Sequence, residues 1–412
     1  MTIMRYGDLV KPSTFADDNY FQELTSHMRE NDPLPFIEPD SHKAFWVATK
    51  HSDIIEIERQ HEKFLNTGQS VLQPREVERQ IEESGQGQIL RTLIHMDDPD
   101  HKKFRALTKD WFMPINLRKV EARVKKIAKK TIDDMFEKGS ELDFVKDVAV
   151  WYPLRVIMMI LGVPPEDEPL MLKLTQELFG AEDPDLRREV ESEEDRMQTI
   201  MEFFAYFTAM TKDRRHSPGD DVASVIANAE IDGQRIGDLE AMSYYIIIAT
   251  AGHDTTSSSA SGGIHALASN PSELSKVLRD PSLTALTVEE AIRWTSPVKH
   301  FMRYATEDYS IRGKEIKSGD ALMMLYPSGN RDEEIFEKPD HFISDRKPNR
   351  HLAFGFGAHH CLGNLLAKME MKLLYQELFS RVKKIEVNGV PELTHSIFVS
   401  GLKTLPLRIV PR

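Results

Sequence analysis

Phe354-Gly355-Phe356-Gly357-Ala358-His359-His360-Cys361-Leu362-Gly363 holds the only cysteine of a 412-residue chain. Two alternating glycines, Gly355 and Gly357, permit backbone conformations that a side chain forbids, and they let a flat ligand come close to the main chain. After Cys361 the apolar residues Leu362, Leu365, Leu366, Met369, Leu373 and Leu374 recur at helical spacing. The cysteine therefore stands at a helix N-terminus, where unpaired amides and the peptide dipole favour negative charge. Such surroundings lower a thiol's pKa and favour the thiolate, which is the reactive and metal-binding form.

Three readings of the loop stay open on its residues alone. A lone cysteine is often a small buried hydrophobe, here in a glycine-rich turn. It can also join His351, His359 and His360 around zinc. Against zinc, His359, His360 and Cys361 are consecutive and cannot all face one tetrahedral ion without distortion, and structural zinc sites usually hold more cysteines. Thirdly, it can be the axial thiolate of a haem iron, the ligand that pushes electron density into the metal and favours O–O cleavage.

The surrounding chain is acidic and globular. With 40% hydrophobic and 29% charged residues it is not a disordered protein, and it has apolar material for a sizeable core. Its length alone would suit two or three domains, although single-core enzymes of this size exist. A net charge of −13 argues against a nucleic-acid binder. Residues 1–15 have no apolar core of signal-peptide length, and no run of about eighteen apolar residues would span a membrane. One cysteine allows no intramolecular disulfide. The expected protein is cytoplasmic, without a membrane anchor.

Helical periodicity dominates the remainder. An amphipathic helix over 117–138 stops at Gly139, and an almost wholly apolar one over 154–161 ends at Gly162. Helices are also predicted over 169–179, 196–213, 238–269 and 283–294, with a loosely packed acidic connection over 181–195. Strand-like alternation is confined to 44–49, 309–325 and 393–410. The Gln- and Glu-rich stretch 70–91 carries no clear period and reads as loop.

The long helix over 238–269 contains Ala251-Gly252-His253-Asp254-Thr255-Thr256, followed by Ser257-Ser258-Ser259. Gly, Thr and Ser each cost a helix about 0.5–1 kcal/mol relative to Ala, so this one is weakened in its middle. The Thr255 hydroxyl can bond to the Ala251 carbonyl four residues back, which opens or bends a helix locally. Close helix packing through small residues explains the run equally well. In the next helix, Glu290-Ala291-Ile292-Arg293 places Glu and Arg three apart on one face, a common arrangement on solvated surfaces.

Taken in order along the chain, these motifs resemble those of the cytochrome P450 family. Its haem-binding loop has the pattern Phe-x-x-Gly-x-x-x-Cys-x-Gly, and Phe354, Gly357, Cys361 and Gly363 fit it without a gap. Ala251 to Thr256 resembles the family's oxygen-binding groove, and Glu290 with Arg293 its Glu-x-x-Arg pair. The resemblance covers essentially the whole chain. In Ala249-Thr250-Ala251-Gly252-His253-Asp254-Thr255-Thr256-Ser257-Ser258-Ser259 and Pro348-Asn349-Arg350-His351-Leu352 it is nearest to bacterial members that act on terpenoids, those hydroxylating alpha-terpineol among them.

The resemblance implies a mainly α, triangular-prism fold. It would form a single domain over 1–412, with a smaller β-rich region mainly near the N-terminus. It implies haem b (iron protoporphyrin IX), with Cys361 as the axial ligand and Asp254 with Thr255 relaying the protons that O2 reduction consumes. Buried propionates need cationic partners, and the family's places for them fall on His101, Arg105, Arg303, His351 and His359. Glu290, Arg293 and Arg346 would form a structural network; such a buried network fixes geometry and adds little net stability. The substrate face would be lined by Ile247, Ile248, Ala251, Val298, Phe301, Phe398 and Val399. This set is apolar, so a compact monoterpenoid or alkyl-aromatic is the expected substrate. Electrons would come from a [2Fe-2S] ferredoxin and its NAD(P)H-dependent reductase, reaching a monomer through a basic patch of Lys102, Lys103, Arg105 and Lys109.

Overall fold

The computed structural model describes residues 4–84, 91–179 and 193–412. The expected acidic connection over 181–195 lies outside them except at 193–195, which begin the helix Glu193–His216. Most of the described chain is helical, and the helices share one core running from Phe112 to Ile409. Its centre includes Trp151–Leu161, whose residues are apolar on nearly every face and mostly buried. That helix ends, as its sequence demands, on Gly162 at φ 73°.

The helix expected over 238–269 is two helices, Asp238–Ala251 and Asp254–Ser269, broken at Gly252 and His253. Gly252 is needed for close approach: a Cβ there would stand 2.7 Å from Ile157 Cδ1, on the neighbouring helix Trp151–Leu161. The second half then packs against Thr284–Thr295 and against Asn364–Arg381, the helix that follows the cysteine. Tyr375 of that last helix donates to the Ala260 carbonyl at 2.8 Å.

The β-rich region departs from the expected place. Its five-stranded sheet has the order Phe36–Ile37, Phe45–Ala48, Ala321–Leu325, His300–Ala305, Phe64–Leu65, so its central strands come from the C-terminal third. A second sheet, of Val382–Val387, Pro406–Pro411 and Glu141–Asp143, also draws mainly on that third. Alternation buries both faces of the first sheet. Ala321, Met323 and Leu325 meet Leu24 and Met28 on one side, and Leu322 and Met324 meet Ile54 and Ile57 on the other. By the same alternation Phe301 and Arg303 point with Ala305 toward the helix His51–Arg59.

The stretch 70–91 is not all loop. Arg75–Ser84 is a helix with Val77, Glu78 and Ile81 on its inner face, and charge laces its outer face: Arg79 bonds Glu76 at 2.7 Å and Glu83 at 3.4 Å. Among the described residues, no helix is long and apolar enough to cross a membrane.

Candidate haem-thiolate site

Cys361 is fixed by its own loop, its amide donating to the Phe354 carbonyl at 2.8 Å. The turn is locked by Gly357, at φ 68°, where a Cβ would stand 2.4 Å from the Glu58 carbonyl oxygen. The amides of Gly363 and Asn364, at the start of the helix Asn364–Arg381, point to the sulfur as expected. Their effect does not win. Dense protein around the half-buried thiol pushes its pKa up, against those amides and the charges of Arg105 and Lys368. The dipole alone therefore does not make the thiolate; a bound cation would have to.

Among the described residues, no three His, Cys, Asp or Glu side chains converge as metal ligands, which removes the zinc reading. At Gly363 a Cβ would meet no protein atom within 4 Å, so the backbone two residues past Cys361 stands open.

Four of the five expected propionate partners gather beside this loop. His101 and His359 stack at 3.9 Å between ring centroids. Arg105 donates to the His360 carbonyl at 2.5 Å. Arg303 donates to Glu58 at 3.2 Å. Burial together with Arg303, His101 and Arg105 drives the His359 pKa down to about 2, so both guanidinium groups, and not this imidazole, carry the positive charge. His101 Nε2 is buried without a partner. A cationic niche with an orphaned imidazole nitrogen suits the acidic edge of a haem.

His351 departs from the expectation. Its Nε2 pairs with Glu289 at 3.0 Å and its Nδ1 accepts from the Ala353 amide at 3.4 Å, so neither ring nitrogen is left for a propionate. Glu289 takes Lys368 on its other oxygen, and Lys368 lies over the Phe354 ring. This histidine braces the cysteine loop from the outside.

At the helix break, Thr255 Oγ1 donates to the Ala251 carbonyl at 2.8 Å, as its position predicts. Asp254 Oδ1 lies 3.2 Å from His253 Nδ1, and Asp254 Oδ2 is buried with no partner. Burial raises the Asp254 pKa, opposed in part by His253. His253 is anchored at its other nitrogen, Nε2, which lies 2.9 Å from the Val150 carbonyl.

Two of the three segments expected to line the substrate face meet one another. Val298 and Val399 form an antiparallel bridge, the Lys299 amide donates to the Phe398 carbonyl at 2.8 Å, and the Phe301 and Phe398 rings meet at 5.5 Å and 66°. Ile247 and Ala251 are the more open positions of the broken helix, whereas Ile248 is packed into the helical core.

Glu290 is fully buried and bonds Arg293 at 2.8 Å and Arg346 at 2.9 Å. Asn349 and the Ile343 amide complete its shell. Both arginines also donate to backbone carbonyls, Arg293 to Asn330 and Pro339, Arg346 to Glu337 and His341, which ties down the segment leading to the cysteine. Of the basic patch, Lys103 is already paired with Asp232 at 2.5 Å, and Lys102 borders a depression of about 460 Å³ with His61 and Asp98.

Sequence reasoning passed over three acidic residues. Glu58 lies under the cysteine loop. Glu370, on the helix after Cys361, is buried with Oε2 unpartnered, and its pKa is raised well above the usual range by burial, opposed by the Thr256 hydroxyl. Asp97 holds the Asn66 amide at 2.9 Å, and Asn66 in turn bonds His359 Nε2 at 2.7 Å. The first two had a signal: Ile54, Ile57, Glu58 and Leu366, Glu370, Leu373 are apolar helical stripes that each include one carboxylate.

A single sulfur for the metal, cations at one edge, and an acid beside an alcohol in an interrupted helix are the parts of a haem-thiolate enzyme that reduces O2. Residues 37–404 match the family profile "Cytochrome P450". The chain belongs to the cytochrome P450 family. It is 43% identical over 410 residues to "Cytochrome P450-terp" of a Pseudomonas species, covering 97% of this chain and 96% of that one. It is 34% identical over 408 residues to a "Steroid C26-monooxygenase" of Mycobacterium tuberculosis (96% of each chain). With "Linalool 8-monooxygenase" of Pseudomonas putida it shares 30% over 413 residues (99% and 100%). The crystal structure of CYP108D1 from Novosphingobium aromaticivorans superposes with a TM-score of 0.92 at 40% identity, covering 100% of both chains. The protein is thus a cytochrome P450 monooxygenase that binds haem b.

Proposed function

We propose that the protein hydroxylates a compact hydrophobic molecule, a monoterpenoid or alkyl-aromatic, using O2 and electrons from a [2Fe-2S] ferredoxin. The observation that carries this is the apolar clamp of Phe301 on Phe398. It leaves hydrocarbon burial, about 25 cal/mol per Å², as the main source of affinity. Two relatives named for terpene chemistry lend support, and the steroid-oxidising relative is the rival the clamp argues against.

Bound haem supplies O2 activation and the insertion of one oxygen atom into a carbon–hydrogen bond. The chain supplies the rest. Cys361 would hold the haem iron through its sulfur, on the loop that Phe354, Gly357 and Gly363 shape. His101, Arg105, Arg303 and His359 would hold the propionates. Asp254, whose neutral form burial favours, keeps a proton at Oδ2 and passes it toward Thr255, whose lone pairs stay free while its hydrogen points to Ala251. Glu290, Arg293 and Arg346 keep the loop in place. Lys102 and Lys109 attract the ferredoxin. The chain would act as a cytoplasmic monomer with a single domain over 1–412, the last of these supported by the helical core that runs from Phe112 to Ile409.

Titrating the ferric protein with alpha-terpineol, a small alkylbenzene, a fatty acid and a steroid tests the substrate. The first two should convert low-spin to high-spin iron. A shift with the steroid or the fatty acid alone overturns the proposal. Reduced protein with carbon monoxide should show the red-shifted Soret band of thiolate ligation, and Cys361→His should lose it.

A further inference from the structure

Glu58 is a carboxylate in the interior with no assigned task. Its side chain is 1% exposed, and that of Arg303, 3.2 Å from its Oε1, is 3% exposed. Tyr326 donates to the same oxygen at 2.7 Å, while Oε2 has no partner. Burying an ion pair is weak evidence for stability, since desolvation offsets much of the attraction. An apolar residue would fill this place on the stripe of Ile54 and Ile57 at less expense.

Its position is more telling. The Glu58 carbonyl oxygen is the atom that forbids a side chain at Gly357, and its Oε1 would lie 3.5 Å from a Cβ at Gly355. Backbone and side chain of one residue thus touch both glycines of the cysteine loop. The carboxylate stands between that loop and Arg303. Arg303 also spends Nη1 on the Met302 carbonyl at 2.9 Å, so its guanidinium is held on two sides. Burial raises the Glu58 pKa, opposed in part by Arg303, the Tyr326 hydroxyl and the Phe356 amide; the 3.2 Å contact with the Arg303 guanidinium is the geometry of an ion pair.

We propose that Glu58 is a positioning residue for Arg303, and that its charge, set against the guanidinium, lowers the reduction potential of the haem. This rests on the reading of Arg303 as a propionate partner. On that reading the two guanidinium groups beside the cysteine loop, Arg105 and Arg303, would stand against two propionates. An ionised Glu58 leaves the site one cation short of balancing the propionates. A site with less positive charge favours ferric over ferrous haem.

The experiment is spectroelectrochemical titration of haem-loaded wild type, Glu58→Asp, Glu58→Gln and Arg303→Gln. The potential should rise in the order wild type, Asp, Gln, because the shortened carboxylate loosens its hold while the amide removes the charge. The Gln variant should shift the ferric–ferrous equilibrium at least about threefold, roughly 28 mV at about 59 mV per tenfold for one electron. Arg303→Gln should move the potential the other way. If Glu58→Gln does not load haem, the Asp variant decides: a positive shift supports the proposal and none overturns it. Unchanged potentials in both Glu58 variants, with Arg303→Gln shifted, overturn the role of Glu58 alone. An unchanged Arg303→Gln overturns the propionate reading and the inference with it.

Discussion

Thr255 Oγ1 lies 2.8 Å from the Ala251 carbonyl, across the point where Gly252 and His253 interrupt the helix. That bond holds the hydroxyl beside Asp254, whose Oδ2 is buried and unpartnered. Weak helix formers therefore do structural work here: they interrupt the helix beside the Asp254 carboxyl and the Thr255 hydroxyl.

Removing the hydroxyl should separate oxygen consumption from product. Thr255→Ala is expected to consume O2 at a near-normal rate while releasing peroxide. Asp254→Asn should slow turnover by about 10²-fold, the lower range for losing a positioned proton donor. Product per NADH and peroxide yield, measured together, check both. Equal coupling in wild type and Thr255→Ala would falsify the relay.

Two glycines of the cysteine loop should respond differently to alanine. At Gly357 the left-handed backbone costs a side chain about 1–2 kcal/mol, and the new Cβ meets the Glu58 carbonyl, a backbone atom that cannot step aside. At Gly363 the φ is ordinary and no protein atom lies within 4 Å. Gly357→Ala should lower the melting temperature of the apoprotein, and Gly363→Ala should leave it unchanged while weakening haem retention. Equal effects of the two on apoprotein stability would contradict this account.

How far the site could be read from the sequence follows from the range of each interaction. Cys361 and its glycines, and the pair Glu290 with Arg293, lie within a few positions of one another, so spacing displays them. His351 was misplaced because its partner, Glu289, is 62 positions away. Glu58 pairs with a residue 245 positions distant, and only its place on an apolar stripe hinted at burial. Arg75–Ser84 escaped notice because its apolar period is written by only two residues, Val77 and Ile81, among charged neighbours. The first sheet was assigned to the N-terminus although its central strands come from residues 300–325; strand pairing is a tertiary choice that local alternation does not specify.

Glu370 should make stability depend on pH. Its folded pKa is raised by burial, so the folded state holds the proton more tightly than the unfolded chain does. Its contribution is most favourable below the unfolded carboxylate pKa and is lost as pH rises toward the folded value. Glu370→Gln removes that loss. The apoprotein variant should melt close to wild type near pH 4 and above it near pH 8. A wild-type advantage that grows with pH would refute the assignment of a buried neutral carboxyl.

The clamp between Phe301 and Phe398 should set the upper size of the substrate. The rings meet edge to face at 5.5 Å and 66°, and Phe301 also touches Tyr326 at 6.3 Å, so Phe301 is braced from behind while Phe398 is carried on the C-terminal segment. Phe398→Ala therefore opens space at one wall without collapsing the other. If the ring covers about 60 Å² of a bound monoterpenoid, its loss costs about 1.5 kcal/mol, roughly tenfold in Kd. The same variant should gain spin-shifting affinity for a steroid, which the wild type is expected to bind poorly. Dissociation constants for alpha-terpineol and a steroid, measured on both proteins, decide the matter. Should the wild type already bind the steroid more tightly than alpha-terpineol, the clamp does not limit size, and the steroid-oxidising relative becomes the better guide to substrate.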